Sequence, residues 1–518
     1  MTRPVRPGTP VTTEATTLEA TLAPARRARW TGILPPAGLA LLAVVLAVVT
    51  LDWPAGTLDE MILVVYPERM MAGDLPYRDF FTAYGPAQWW LLQAVYSVTE
   101  PSVLTARTVG IAVHVGLVLA VYWLVLPRGR GIAAACSAIA AFLLLGLGAA
   151  PFAWLTCVAL CVAHLASLHN GARLRVALGG VLAGLAIAVR PDVAPLAMLP
   201  ALPFLWRRLP LARWWATGLG IGLTPLGIGL VMAGPDLLRN VFGARAGKGA
   251  GQSRLPFWPD GATPRQLLLL LLVAVLLSWV VALQVRSRHS VALAVLATAA
   301  LPQALQRADT VHFVYAGLLS VPLLPLAMHD LLRRRYGARA ARGGIVAGAA
   351  LVALATPGWV AVPLADELTG KGPRSTVVEH DGRKLPVTPS SADTLRELLQ
   401  VLDREGEPGQ TVFVYDGNLV RPAISDVGLY HLLPSLTQRA YNLEITPGVT
   451  SFPGGRLRED LWEADVVVLL DISEEFRRAL FPHARDGSTE AREELERSFC
   501  RVATVDYYVV YRRCAPRQ

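Results

Sequence analysis

Between residues 33 and 363 the chain is assembled from apolar runs of about 20 residues, separated by short Arg-, Pro- or Gly-containing breaks. As a helix, a run of that length covers about 30 Å, the thickness of the hydrocarbon core of a bilayer. Residues are 53% hydrophobic and only 17% charged, where a soluble domain carries about 25% charged. The expected class is therefore an α-helical multi-span membrane protein. Eleven spans are expected, at about 33–51, 102–126, 132–150, 151–169, 175–189, 193–206, 214–234, 265–285, 290–306, 313–328 and 343–363. Trp89 to Val98 is a further apolar piece, expected to lie at the membrane interface with Trp89 and Trp90 as anchors. Residues 1–32 are rich in Thr, Pro, Ala and Arg without apolar periodicity, and are expected to form a disordered cytoplasmic tail.

Charge sets the orientation. The net +9 divides into +15 for residues 1–363 and −6 for residues 364–518. The basic excess lies mostly in short loops and is a topology signal, which argues against a nucleic-acid footprint. Arg26, Arg27 and Arg29, then Arg128/Arg130, Arg173/Arg175, Arg207/Arg208/Arg213, Arg286/Arg288 and the run Arg333 to Arg342 fall on one side if the eleven spans hold. That side is cytoplasmic, which places the protein in the plasma membrane with its N-terminus inside. The outer side receives loop 52–101, Arg190-Pro191-Asp192, loop 235–264, the segment Gln306 to His312 and the tail. Loop 235–264 breaks the charge rule, with Arg239, Arg245, Lys248 and Arg254 on the outer side. It reads either as a solvated loop or as an anion-binding loop for a phosphate at headgroup level.

The tail, 364–518, reads as a soluble α/β domain outside the membrane. Ser391 to Asp403 has helical spacing, with Ser391 as the expected N-cap. Thr411 to Tyr415 and Asp465 to Leu470 read as buried strands, and Arg501 to Arg512 as one or two more. Cys500 and Cys514 flank the last stretch, and an oxidising compartment would permit a bridge. Cys136, Cys157 and Cys161 fall in apolar runs as small packing residues, and the cysteine spacing indicates no zinc site.

The stretch from Asp52 to Pro86 is the least like its surroundings. It carries Asp52, Asp59, Glu60, Glu68, Asp74 and Asp79, six of the fourteen carboxylates in residues 1–363, interleaved with Tyr66, Tyr77, Phe80, Phe81 and Tyr84. A solvated loop would hold more Ser, Lys and Gly, so a structured loop at the outer surface is expected, part of a 33–363 transmembrane domain. Asp59-Glu60, then Gly73-Asp74-Leu75-Pro76-Tyr77-Arg78-Asp79-Phe80, then Gly85-Pro86 follow in order. This series resembles the first outer loop of polyprenyl-phosphate-sugar-dependent glycosyltransferases of the GT-C class, of the protein mannosyltransferase and aminoarabinose transferase type. Arg107, and the later Arg307, Asp309 and His312, stand where such proteins carry similar residues. One departure is Tyr84, where several relatives have Lys or His before the Gly-Pro.

The resemblance implies a GT-C-like membrane domain and transfer of a sugar from a polyprenyl-phosphate donor to a glycan, lipid or protein acceptor on the outer face. It implies no nucleotide and no obligatory metal cofactor. Such a transfer needs a carboxylate base for the acceptor hydroxyl and cations for the leaving phosphate. Asp59 is the first candidate base and Glu60 the second. Arg78, Asp79, Arg190, Lys248, Arg254, Arg307, Asp309 and His312 are candidates for donor phosphate or substrate binding. Asp79 can instead pair with Arg78 or Arg107, and Arg190 and Arg307 can pair with Asp192 and Asp309. Two other classes remain open. A lipid-linked glycan transporter would show midplane charges and repeat symmetry, and neither is found. A polysaccharide ligase or polymerase would keep key Arg and His residues in one late outer loop, and 235–264 has Arg but no His.

Overall fold

The computed structural model describes residues 34–169, 171–243, 251–445, 449–452 and 455–514. The N-terminal segment 1–32 and Lys248 lie outside the described residues. Helix α1 (Leu34–Val48) leads into the acidic loop. That loop holds two helices, α2 (Ile62–Met71) and α3 (Pro86–Tyr96), ahead of α4 (Val103–Val125), α5 (Arg130–Leu145), α6 (Ala153–Leu168) and α7 (Arg173–Val189). Ser102 caps α4 by accepting from the Thr105 backbone N–H. Trp89 is fully buried in α3 against Tyr66 and Tyr84, so it is a core residue and not an interfacial anchor.

Three described helices are by themselves long and apolar enough to cross a membrane: Val103–Arg128, Ala262–Val285 and Ala338–Ala355. Two bent pairs bring the number to five, Leu209–Gly222 with Thr224–Ala233 at 42° and Thr310–Gly317 with Val321–Tyr336 at 46°. Eleven full-length helical spans are therefore not found among the described residues. Proline is the main reason. Pro225 and Pro322 sit just after the two bends, and Pro195, Pro200 and Pro203 divide the expected span 193–206 into alternating short α and 3-10 turns. The expected span 132–150 ends at Leu145, before Gly146 and Gly148. Close packing still joins these pieces. Helix α7 crosses Leu209–Gly222 so tightly that a Cβ on Gly180 would sit 2.0 Å from the Trp215 carbonyl oxygen, the small-residue contact typical of membrane helices.

The C-terminal part begins with a hairpin, β1 (Thr376–His380) antiparallel to β2 (Arg383–Val387). A second sheet among the described residues runs β4-β3-β5-β7-β6, from β3 (Thr411–Asp416), β4 (Thr437–Gln438), β5 (Val466–Leu470), β6 (Phe499–Val505) and β7 (Tyr508–Arg513). Strand β3 is parallel to β4 and β5, and β7 is antiparallel to β5 and β6. The expected helix is Pro389–Glu405, with Thr388 at the N-cap position but making no side-chain cap bond, which leaves Ser391 inside it: Pro389 takes the first helical position and sets the N-cap three residues earlier. Cys500 and Cys514 are disulfide-bonded, and Cys136, Cys157 and Cys161 are free and buried.

The acidic loop and this domain share one hydrophobic core. Met61 to Tyr66 of the loop pack in the same cluster as Val412 to Tyr415 and Val466 to Leu470. Backbone bonds stitch them together: Ser375 N–H to Asp52 O (2.8 Å), Ala55 N–H to Pro386 O (2.7 Å), Val427 N–H to Thr57 O (3.0 Å) and Phe81 N–H to Tyr441 O (2.7 Å). Asp59 is thus placed by two layers, membrane helices on one side and the α/β domain on the other.

Candidate functional site

Arg107 on α4 fixes the start of the loop. Its guanidinium donates to both oxygens of Glu60, at 2.7 and 3.0 Å, and to the carbonyls of Leu51 (2.6 Å), Trp53 (2.7 Å) and Pro54 (3.3 Å). Glu60 also accepts from the Gly56 N–H at 3.0 Å. Both partners of the pair are buried. Glu60 is therefore fully engaged in holding the loop, and the adjacent Asp59 points elsewhere, as neighbouring side chains do.

Asp59 opens into two confluent cavities of about 470 and 890 Å³. Both are lined by Leu58, Asp59, Tyr84, Trp154, Gln303 and His312. The walls carry cations: Arg190 in the first, Arg254 and Arg307 in the second. Asp59 is exposed at the wall of these half-open cavities. Desolvation by those walls pushes its carboxyl above the ordinary aspartate range, opposed by the positive charges of His312 and Arg307 and reinforced by Asp309. Because water reaches the group, this upward push is smaller than full enclosure would give.

Each cation is oriented by a neighbour. Arg190 ends α7, is 5% exposed, and pairs with Asp192 at 2.6 Å while lying over the rings of Tyr84 (5.6 Å) and Trp154 (5.2 Å). Gly85 makes this possible. Its N–H donates to Val189 O at 2.9 Å, and a Cβ there would lie 2.1 Å from Ala188 O, so only glycine lets the loop pass the end of α7 and lay Tyr84 on Arg190. Pro86 then starts α3. Arg307 pairs with Asp309 at 2.9 Å and lies 4.9 Å from the Phe481 ring of the C-terminal domain. Asp309 caps the helix Thr310–Gly317 by accepting from the His312 N–H, and its Oδ1 is 2.8 Å from His312 Nδ1. Arg254 makes no ion pair among the described residues and lines the larger cavity.

Arg78 and Asp79 lie outside this arrangement. They pair with each other at 2.8 Å, Asp79 also accepts from the Leu75 N–H, and neither lines either of these two cavities. The hydrogen bond from Arg78 holds the Asp79 carboxyl below its usual range. Their work is to close the turn that Arg69 braces from α2, by its contacts to Asp74 (2.6 Å), Asp79 O (3.1 Å) and Ala440 O. Among the described residues no group of three or more His, Cys, Asp or Glu is placed to hold a metal ion.

Glu444, Trp154, Gln303 and Phe481 line the cavities without having been singled out by sequence. Glu444 comes from the C-terminal domain and is 8% exposed. Burial pushes it up to about 7, against hydrogen bonds from Thr82, Tyr66 and the Ala83 backbone. The one hint in the sequence is a carboxylate set between Leu443 and Ile445.

No family model matches the chain, and no curated protein matches it. Solved structures do. ArnT from Cupriavidus metallidurans bound to undecaprenyl phosphate aligns with a TM-score of 0.50 at 16% identity, over 93% of this chain and 97% of that one. The oligosaccharyltransferase AglB from Archaeoglobus fulgidus, in complex with an inhibitory peptide and a dolichol-phosphate, aligns with a TM-score of 0.49 at 14% identity, over 93% and 74%. Its apo form gives 0.48 at 14% identity, over 90% and 72%. At such identities the likeness to ArnT is one of fold: a GT-C membrane architecture with a C-terminal soluble domain.

Proposed function

We propose that this protein is an integral membrane glycosyltransferase that moves a sugar from a polyprenyl-phosphate donor to a cell-envelope acceptor on the outer face of the membrane. The observation that carries the reading is Asp59 opening into a cavity whose walls present Arg190, Arg254, Arg307 and His312. A carboxylate facing fixed cations is the arrangement that acid–base transfer from a phosphate leaving group needs. Asp59 takes the proton of an acceptor hydroxyl. The freed oxygen attacks the anomeric carbon, the bond from that carbon to the phosphate oxygen breaks, and the polyprenyl phosphate leaves with the electron pair. Arginine forks suit the phosphate that is left. The fold likeness to ArnT, whose structure holds undecaprenyl phosphate, supports this donor class.

Arg254 and Lys248 are assigned to the donor phosphate, since they are among the loop 235–264 cations that topology does not account for. Replacing both by Gln should weaken binding of undecaprenyl phosphate by about tenfold or more, from the loss of charge-assisted hydrogen bonds, with unchanged protein yield. Affinity equal to wild type would make 235–264 a solvated loop.

Orientation belongs to the same proposal: the N-terminus cytoplasmic and the C-terminal domain outside. The Cys500–Cys514 disulfide supports an oxidising location for that domain. With all three free cysteines buried, a Cys at exposed Thr57 should react with a membrane-impermeant thiol reagent in intact cells. One at exposed Arg334 should react only after lysis. The opposite pattern would invert the topology.

A further inference from the structure

We infer that Glu444 is a substrate-binding carboxyl of this site, holding a sugar-type hydroxyl through its Oε1 oxygen, so that the C-terminal domain supplies part of the binding surface. The inference rests on the transferase reading above and deepens it. Glu444 is more than nine-tenths buried, yet it lines the 890 Å³ cavity together with Asp59. Its Oε1 is buried without a hydrogen-bond partner among the described residues. Such an orphan is costly unless something fills the place, and a carboxyl oxygen calls for a hydroxyl or amine. The rest of the group is held firmly, by Tyr66 of α2 and by Thr82 and the Ala83 backbone of the acidic loop. The side chain is therefore anchored against the acidic loop, and its unpartnered Oε1 lies shielded from solvent at the cavity wall.

Charged and titratable groups surround Glu444. Tyr66 and Tyr77 come from the acidic-loop side, Asp59 from the loop's start, and Tyr84, Arg254, Arg307 and His312 from the shared cavity walls. Glu444 titrates near 7, so below neutrality it carries a proton and can donate to a hydroxyl without adding charge. Above neutrality it ionises, and a second carboxylate beside Asp59 repels both Asp59 and an anionic donor. Activity should therefore fall as the pH rises through about 7.

The test uses purified full-length protein in vesicles made from the lipid extract of the producing cells, with radiolabelled sugar transfer as readout. Donor extract is varied at fixed acceptor extract, and then the reverse. Glu444→Ala should raise one KM by about tenfold or more, the loss expected for a hydrogen bond from a charged or strongly polar partner. The series in which KM rises says whether the hydroxyl is the donor sugar's or the acceptor's. Glu444→Gln should recover part of that KM and remove the fall above neutral pH, a profile that stays readable if the Ala variant fails to fold. Glu379→Gln, an exposed side chain on β1, is the matched control. If both Glu444 variants keep wild-type KM values and pH profile while Asp59→Asn is inactive, this inference fails and the transferase reading stands. If the wild-type protein moves no sugar from the donor extract to any acceptor, the transferase reading fails and takes this one with it.

Discussion

Asp59→Asn is expected to lower sugar transfer by about 10²- to 10⁴-fold, the usual contribution of a positioned general base. The amide keeps the shape of the carboxyl and still lines the cavity, but it cannot accept the acceptor's proton. Donor binding and membrane insertion should be unchanged, so the loss belongs in kcat, with KM for the donor nearly constant. The wild-type enzyme should also lose activity in acid. The base works only when ionised, and desolvation by the cavity walls raises its pKa from the aspartate value of 3.8, so the acid limb should lie above the range of a free aspartate. Asp79→Asn is the control, because its partner Arg78 sits with it outside the cavities. Near-normal turnover in Asp59→Asn alongside an inactive, well-folded Glu60→Gln would transfer the role to Glu60.

Some of this was legible in the chain and some was not, for identifiable reasons. The run lengths and the Arg distribution indicate a membrane protein without any contact information, since hydropathy is a local property. The breaks were harder. Apolar prolines such as Pro200 and Pro225 keep a run hydrophobic while ending its helix, so counting runs gives eleven where length and straightness give three to five. The acidic loop announces itself by composition, but its division of labour depends on long-range pairing. Glu60 and Asp59 are neighbours in sequence, and only Arg107, 47 positions away, separates a structural carboxylate from an open one. The pairs Arg190–Asp192 and Arg307–Asp309 were accessible because their spacing is two residues. Glu444 was not, because no local pattern links a tail residue to a loop before the second span. Its role emerges only once the core shared by Met61 to Tyr66 and the β3–β5 strands is seen.

Arg107→Met should be the most damaging structural change in the site. The substitution keeps a long apolar stem but leaves Glu60 buried with its Gly56 contact as its remaining hydrogen bond, and breaking a buried ion pair in this way costs about 3–5 kcal/mol. It also removes the donors to the Leu51, Trp53 and Pro54 carbonyls, which set where the loop leaves the first helix. Thermal unfolding of the purified protein should shift to lower temperature, and transfer should fall with it. The double variant Glu60→Leu, Arg107→Met separates the two effects. With no unpaired charge left, stability should return at least in part, since apolar replacement of a buried pair is often close to neutral. Activity should stay low, because the three carbonyls still lack their guanidinium and Asp59 is no longer held at its place in the cavity wall. A double variant that regained stability and turnover together would show that Arg107 only neutralises Glu60. A single Arg107→Met variant as stable as wild type would remove the basis for assigning this pair the loop-holding role.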